Sequence, residues 1–300
     1  MGRGHDHDVR GANRQALALA LAITATFTVV EVVGGVLTGS LALLADAVHM
    51  LSDNVSITLA LVAVWLAGKP STPERTFGFK RAEVLAALAN GVTLVALSIW
   101  IFYEAIRRFR DSPEVLGGWM LAIALGGLVV NVAAGAILYR ARGSSLNVEA
   151  ALRHVLADLL GSIGVIGAAL AILLTGWVQA DPLASILIGV LVLASSWTIL
   201  RDSTGILLES APRGLDTHAV GERLAASPGV VEVHDLHVWT ITSGFPALSA
   251  HVLVGRGEDC HGRRRELERL LADEFGIEHT TLQVDHVGEE GGLVELGRFG

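Results

Sequence analysis

Six long apolar runs, at about 15–37, 41–66, 84–106, 115–138, 152–174 and 183–208, dominate this chain of 300 residues. About 20 mostly apolar residues in helical form cross the hydrocarbon core of a bilayer. Hydrocarbon offers backbone amides no partner, so such runs must be helices that satisfy their own hydrogen bonds. Composition excludes an ordinary soluble domain: 52% of residues are hydrophobic, 17% are charged, and the mean hydropathy is +0.55. The first run is too long for the core of a signal peptide and ends "VVGGVLTGS" without a small-x-small cleavage site, so it reads as a first span. Linkers such as "GKPSTPERTFGFKR", "RRFRDSPE" and "TGWVQADP" are rich in Gly, Pro and charge. Small residues crowd "VVGGVLTG", "ALGGLVVNVAAG" and "LGSIGVIGAA", as close helix packing requires.

Six spans place both termini on one side. That side carries Arg3, Arg10, Arg14, Lys69, Arg75, Lys80, Arg81, Arg140, Arg142 and Arg201, while the other carries Arg107, Arg108 and Arg110. Positive charge accumulates in the cytoplasm, so both termini are expected there, in a multi-pass protein of the inner membrane surrounded by lipid. The cluster after span three is an exception to that rule. A net charge of −8 argues against nucleic acid as a partner. The single cysteine, Cys260, rules out a disulfide framework within the chain.

After about residue 208 the pattern changes. "DTHAVGERLAASPG" has an Asp ahead of an apolar-periodic run and predicts a short helix. "VVEVHDLHVWTITSG" alternates and predicts a strand; "FPALSAHVLVG" predicts a second. "HGRRRELERLLADEFG" spaces Leu helically before a Gly stop, and "HTTLQVDHV" predicts a third strand. The expected organisation is a polar tail at 1–13, a six-helix membrane domain at 14–208, an αββαβ domain at 209–288 and a tail at 289–300.

Charged side chains inside the spans are expensive. Each costs about 2.5–3.5 kcal/mol at the centre of a span. Yet "ADAVHMLSDN" puts Asp46, His49 and Asp53 in span two. His49 and Asp53 are four residues apart and share a helix face. "HVLAD" in span five repeats the spacing with His154 and Asp158. Two imidazoles and two carboxylates make a four-ligand set suited to tetrahedral Zn²⁺. The two carboxylates also neutralise one divalent cation where the dielectric is low. For any one of these residues the plain reading is an interhelical hydrogen bond. The duplicated pattern favours a metal site. Asp46, one turn from His49, is expected to orient it or to serve the path to it. Asn54, Asn90 and Asn131 read as interhelical links, and Glu31 as a buried carboxylate with no evident partner. Imidazole and carboxylate bind either metal or protons, so such a site can exchange one for the other.

These residues resemble the cation diffusion facilitator family, in its zinc-type branch. The matching stretches are "SLALLADAVHMLSDN", "RTFGFKRAEVLAALANG", "RHVLADLLGSIGVI", "DPLASILIG" and "PGVVEVHDLHVWTITSG". The resemblance implies a polytopic α-helical membrane protein with six transmembrane helices, a cytoplasmic ferredoxin-like domain, a homodimer, and proton-driven zinc export. It carries the transport site to His49, Asp53, His154 and Asp158. It carries a cytoplasmic metal set to His234, His251, His261 and Asp285, with Gln283 where the family has a further His. His237, His286 and Cys260 are nearby alternatives. A loop site of Asp and His found in some members falls here on positions that include Arg75 and Phe79, so it is expected to be missing. A charge pair between the start of span three and the end of span six, which holds the dimer together in members, falls on Arg81 and Glu209. The N-terminal His5, Asp6, His7 and Asp8 read as a solvated tail rather than a metal trap.

Other classes stay in play on the sequence: a broader Cd, Co, Ni or Fe exporter, a metal-gated channel or sensor, and a membrane metalloenzyme. The last needs an open metal position, which four protein ligands do not leave, and a general base. The chain contains no His-Glu dipeptide of the zinc-protease type.

Overall fold

The structure, a computed structural model, describes residues 4–67, 71–111, 113–140 and 146–288; within these, the side chains of 4–17, 53 and 146–157, among others, lie outside the described set. Six helices come first: α1 (Gly4–Thr38), α2 (Leu41–Ala67), α3 (Ala82–Arg110), α4 (Gly117–Arg140), α5 (Leu146–Thr175) and α6 (Ala180–Leu207). Each encloses most of an apolar run. Helix α1 starts at Gly4, ahead of the predicted span. No Pro interrupts 4–38, so the helix extends outward one hydrogen bond per residue from its apolar part. Among the described residues, α1, α3, α4, α5 and α6 each hold a stretch long and apolar enough to cross a membrane, and α2 contributes the apolar Leu41–Ser52.

The chain divides into two compact units. The first, Met1–Trp65 with Ala86–Leu200, holds most of the six helices. Its core joins Ala42, Leu43 and Ala45 of α2 to Leu94 and Ile101 of α3, Met120 and Ala124 of α4, and Val165 and Ala169 of α5. Small residues recur because helices in lipid associate by close backbone approach. At Gly34 of α1, an added Cβ would sit 2.4 Å from Ile123 Cδ1 of α4. Val36, Trp119, Leu160, Leu174 and Trp197 are exposed, as a lipid-facing surface permits.

The second unit, Leu66–Leu85 with Arg201–Gly300, is the αββαβ domain together with the chain between α2 and α3. Helix α7 (Thr217–Ala225) is capped by Asp216, whose side chain accepts from the His218 and Ala219 amides. Strand β1 (Val230–Thr242) pairs antiparallel with β2 (Phe245–Val254), and β2 pairs in parallel with β3 (His279–His286). Helix α8 (Cys260–Phe275) makes the crossover between the parallel strands and ends on Gly276 in the left-handed region, φ 67°. Val220, Leu224, Leu248, Val252, Leu267, Leu271 and Ile277 form the core between sheet and helices. The segment before α3 packs on this domain. The Phe77 ring meets His279 edge-on at 5.7 Å. Lys80 Nζ lies 3.7 Å from the Phe245 ring centroid, and Thr242 Oγ1 donates to Glu83 at 3.0 Å.

Strand β1 carries an irregularity between His234 and His237, where Asp235 adopts φ 54°. A left-handed residue other than Gly costs about 1–2 kcal/mol, least for Asp and Asn. Asp235→Ala is therefore expected to destabilise segment 209–288 by about 1 kcal/mol relative to Asp235→Gly, read by urea denaturation. Equal stability of the two variants would show that the bulge carries no strain.

Candidate metal centre

Helix α2 presents Asp46 and His49 to the bundle interior, and α5 presents Asp158. His49 Nε2 lies 3.4 Å from Asp158 Oδ1, with side chains 12% and 7% exposed. Thus one residue of each His-x-x-x-Asp repeat meets its counterpart across two helices. The side chains of Asp53 and His154, the other two predicted ligands, lie outside the described residues. Their backbones continue α2 and α5, four residues from His49 and Asp158 respectively. On an α-helix that spacing keeps each pair on one face.

Polar groups surround the pair. Asp46 is buried, and its Oδ1 rests against α5 so closely that a Cβ on Gly161 would sit 2.8 Å away. Asn131 Nδ2 of α4 donates to Ser162 Oγ of α5 at 3.2 Å, one turn beyond Asp158. Glu31 of α1 is buried with no hydrogen-bond partner on either oxygen, and a Cβ on Gly127 of α4 would meet its Oε1 at 3.0 Å. Asn54 is an interhelical link to α1: its Oδ1 accepts from Thr24 Oγ1 at 2.8 Å and its Nδ2 donates to Thr28 Oγ1 at 3.0 Å. Asn131 plays the same part between α4 and α5.

In the C-terminal domain, His234 and His251 face each other across β1 and β2, ring centroids 5.4 Å apart. The bulge turns Asp235 toward them. His237 Nε2 lies 2.8 Å from Asp235 Oδ1, and His251 Nε2 lies 3.8 Å from Asp235 Oδ2. The hydrogen bond from His237, reinforced by the nearby imidazoles, holds the Asp235 carboxyl below its ordinary range. Gln283, paired with His251 across β2 and β3, donates to Asp285 Oδ2 at 2.8 Å. His261 stands in the first turn of α8, where its amide donates to Asp259. Cys260 Sγ lies 3.4 Å from His286 Nε2. Among the described residues, no three His, Cys, Asp or Glu side chains gather into a group fit to hold a metal ion. Of the four cytoplasmic candidates the structure thus brings together His234 and His251, and leaves His261 and Asp285 outside such a group. The expected charge pair places Arg81 Nη2 3.1 Å from Glu209 Oε1, both well exposed.

Sequence reading missed one buried network. Asp181, fully buried at the start of α6, accepts from Ser40 Oγ at 2.6 Å and from the backbone amides of Leu41 at 2.9 Å and Ala42 at 3.1 Å. Arg108 at the end of α3 lies 3.5 Å from Asp181 Oδ2, donates to the Gly39 carbonyl, and pairs with Glu104 at 3.1 Å. The signal available was the basic cluster after the third apolar run, in which Arg108 faces a buried carboxylate.

Comparison with known proteins extends these observations. A family model described as the cation efflux transmembrane domain matches 17–208, and one described as the cation efflux protein, cytoplasmic domain, matches 212–287. The chain belongs to the cation efflux family. It is 43% identical over 286 residues to the metal cation efflux system protein CzcD of Cupriavidus metallidurans, covering 95% of this chain and 90% of that protein. It is 41% identical to a cadmium, cobalt and zinc/H⁺-K⁺ antiporter of Bacillus velezensis, covering 95% and 92%. It is 45% identical to the zinc transporter ZitB of Shigella flexneri, covering 91% and 88%. As a cation efflux protein it is a multi-pass membrane transporter of divalent metal cations, with apolar helices followed by a cytoplasmic domain with a small mixed sheet.

Proposed function

We propose that this cation efflux protein exports zinc in exchange for protons at a site built from His49, Asp53, His154 and Asp158. The approach of His49 Nε2 to 3.4 Å from Asp158 Oδ1, inside an apolar bundle, carries the reading. A histidine beside a carboxylate in hydrocarbon is costly unless the pair has a cation to hold. The Asp53 and His154 side chains would complete two nitrogen and two oxygen ligands for the transported ion. Each ligand binds metal only in its deprotonated form, so arriving protons displace the metal and departing protons admit it. The zinc and antiporter names of the relatives support both halves of this exchange. The dimer-type model that matches the cytoplasmic domain supports a homodimer, and the balance of Lys and Arg among the loops supports an inner-membrane protein with both termini in the cytoplasm. His234, His251, His261 and Asp285 are the candidates for a regulatory metal in the cytoplasmic domain, and Arg81 with Glu209 for a tie that holds the dimer together.

Reconstituted vesicles test the reading. Zinc flux is expected to drive counter-flow of protons and to stop when no counter-flow is allowed; zinc flux indifferent to protons would identify a channel instead. His49→Asp replaces a nitrogen ligand with oxygen and is expected to narrow the preference for zinc over cadmium. Unchanged discrimination would show that ligand identity is not the filter.

A further inference from the structure

The Asp181 network is more than a helix cap. Helix α2 already has its own cap residue: Ser40 Oγ accepts from the Leu43 amide at 3.2 Å. A serine there is sufficient for a helix N-terminus. The chain nevertheless spends a fully buried carboxylate on the same few atoms, from a residue 140 positions away on α6. Burying a carboxylate is unfavourable unless donors surround it. Here the Ser40 hydroxyl, the Leu41 and Ala42 amides, the positive end of α2 and the Arg108 guanidinium all do. Arg108 also holds the Gly39 carbonyl and Glu104, so the starts of α2 and α6 and the end of α3 are fastened at one point. Gly39, with φ 70°, makes the tight turn that delivers α2 to this point, and its position leaves no room for a side chain: a Cβ would meet the Glu114 carbonyl at 2.9 Å.

We propose that Asp181 is a positioning residue for transport: it fixes the depth and rotation of α2, and through them the placement of His49 against Asp158. His49 lies eight residues beyond Leu41, about 12 Å along a rigid helix. A slip of one residue at the cap would turn His49 by about 100° and move it about 1.5 Å. This inference rests on the assignment of His49 and Asp158 to the transport site.

The test uses the full chain in proteoliposomes, with zinc and cadmium uptake measured side by side. Asp181→Asn removes the charge and turns an amide donor toward groups that are themselves donors. It is expected to raise KM for zinc about fivefold and to change the zinc-to-cadmium ratio. A purely structural role would lower Vmax for both metals in proportion to folded protein and leave KM and the ratio untouched; that result overturns the proposal. The double variant Ser40→Asp, Asp181→Asn returns a carboxylate cap to α2 without the tie to α6. It is expected to recover thermal stability but not KM; recovery of both would reduce Asp181 to a cap. Should Asp181→Asn fail to fold, Arg108→Gln reads the same shift with the cap in place, and an unchanged KM there overturns the proposal. His49→Ala in the same assay separates the two readings: if it retains transport, the site assignment fails whatever Asp181 does.

Discussion

Asp158→Ala is expected to reduce zinc flux at least a hundredfold while the protein remains folded. With zinc at the proposed site, Asp158 supplies half of the carboxylate charge that balances the ion, and removing one member of such a buried charge set leaves the rest uncompensated, at about 3–5 kcal/mol. At about 1.4 kcal/mol per factor of ten, that is at least two orders of magnitude in the stability of the metal-bound state. The fold is not at risk for the same reason that the site is. A carboxylate in a membrane helix is a burden on insertion, and Ala in its place is a better helix former with no charge to bury. The packing that holds α5, through Val165, Ala168, Ala169 and Ile172, lies beyond Asp158 and is untouched. The measurement is zinc uptake into proteoliposomes, normalised to monodisperse protein after gel filtration. Asp158→Asn sharpens it, because the amide keeps size and hydrogen bonding but supplies neither charge nor a good metal ligand. Undiminished uptake in either variant would remove Asp158, and with it the two-helix site, from the mechanism.

The division between what the sequence discloses and what it hides follows sequence distance. Hydropathy locates the six helices because hydrocarbon imposes a single rule on every residue of a span. The αββαβ order is equally legible, since its signals are local: Asp216 caps α7, Gly276 stops α8, and alternation marks the strands. The two His-x-x-x-Asp repeats point to each other because each is anomalous in its own span. Asp181 is not anomalous in its own segment. An acid before Pro at a helix start is ordinary, and only the fold reveals that its carboxylate caps α2 rather than α6. The bulge at Asp235 is hidden for a different reason: "VHDLHVW" reads as continuous alternation, and no Gly announces the left-handed residue. His234 and His251 could be placed on paired strands from sequence, whereas the Gln283 to Asp285 hydrogen bond depends on side-chain geometry within β3.

Gly161→Ala is the sharpest test of how the surroundings of the site act on it. A methyl group there would stand 2.8 Å from Asp46 Oδ1, closer than a Cβ normally approaches oxygen, so one of the two must move. The backbone of α5 is fixed by its core contacts, so the carboxylate of Asp46 gives way. Asp46 sits one turn from His49 on the same helix and is buried. Loss of a carboxylate that orients a ligating His lowers metal affinity or activity by about 10–100-fold. Asp46→Ala is expected to fall in that range and Gly161→Ala at its lower end. If the glycine matters through Asp46, the double variant is no worse than Asp46→Ala alone, because the methyl group then enters space the carboxylate has vacated. Additive losses would show instead that Gly161 serves helix packing, and that the room it leaves for Asp46 has no part in transport.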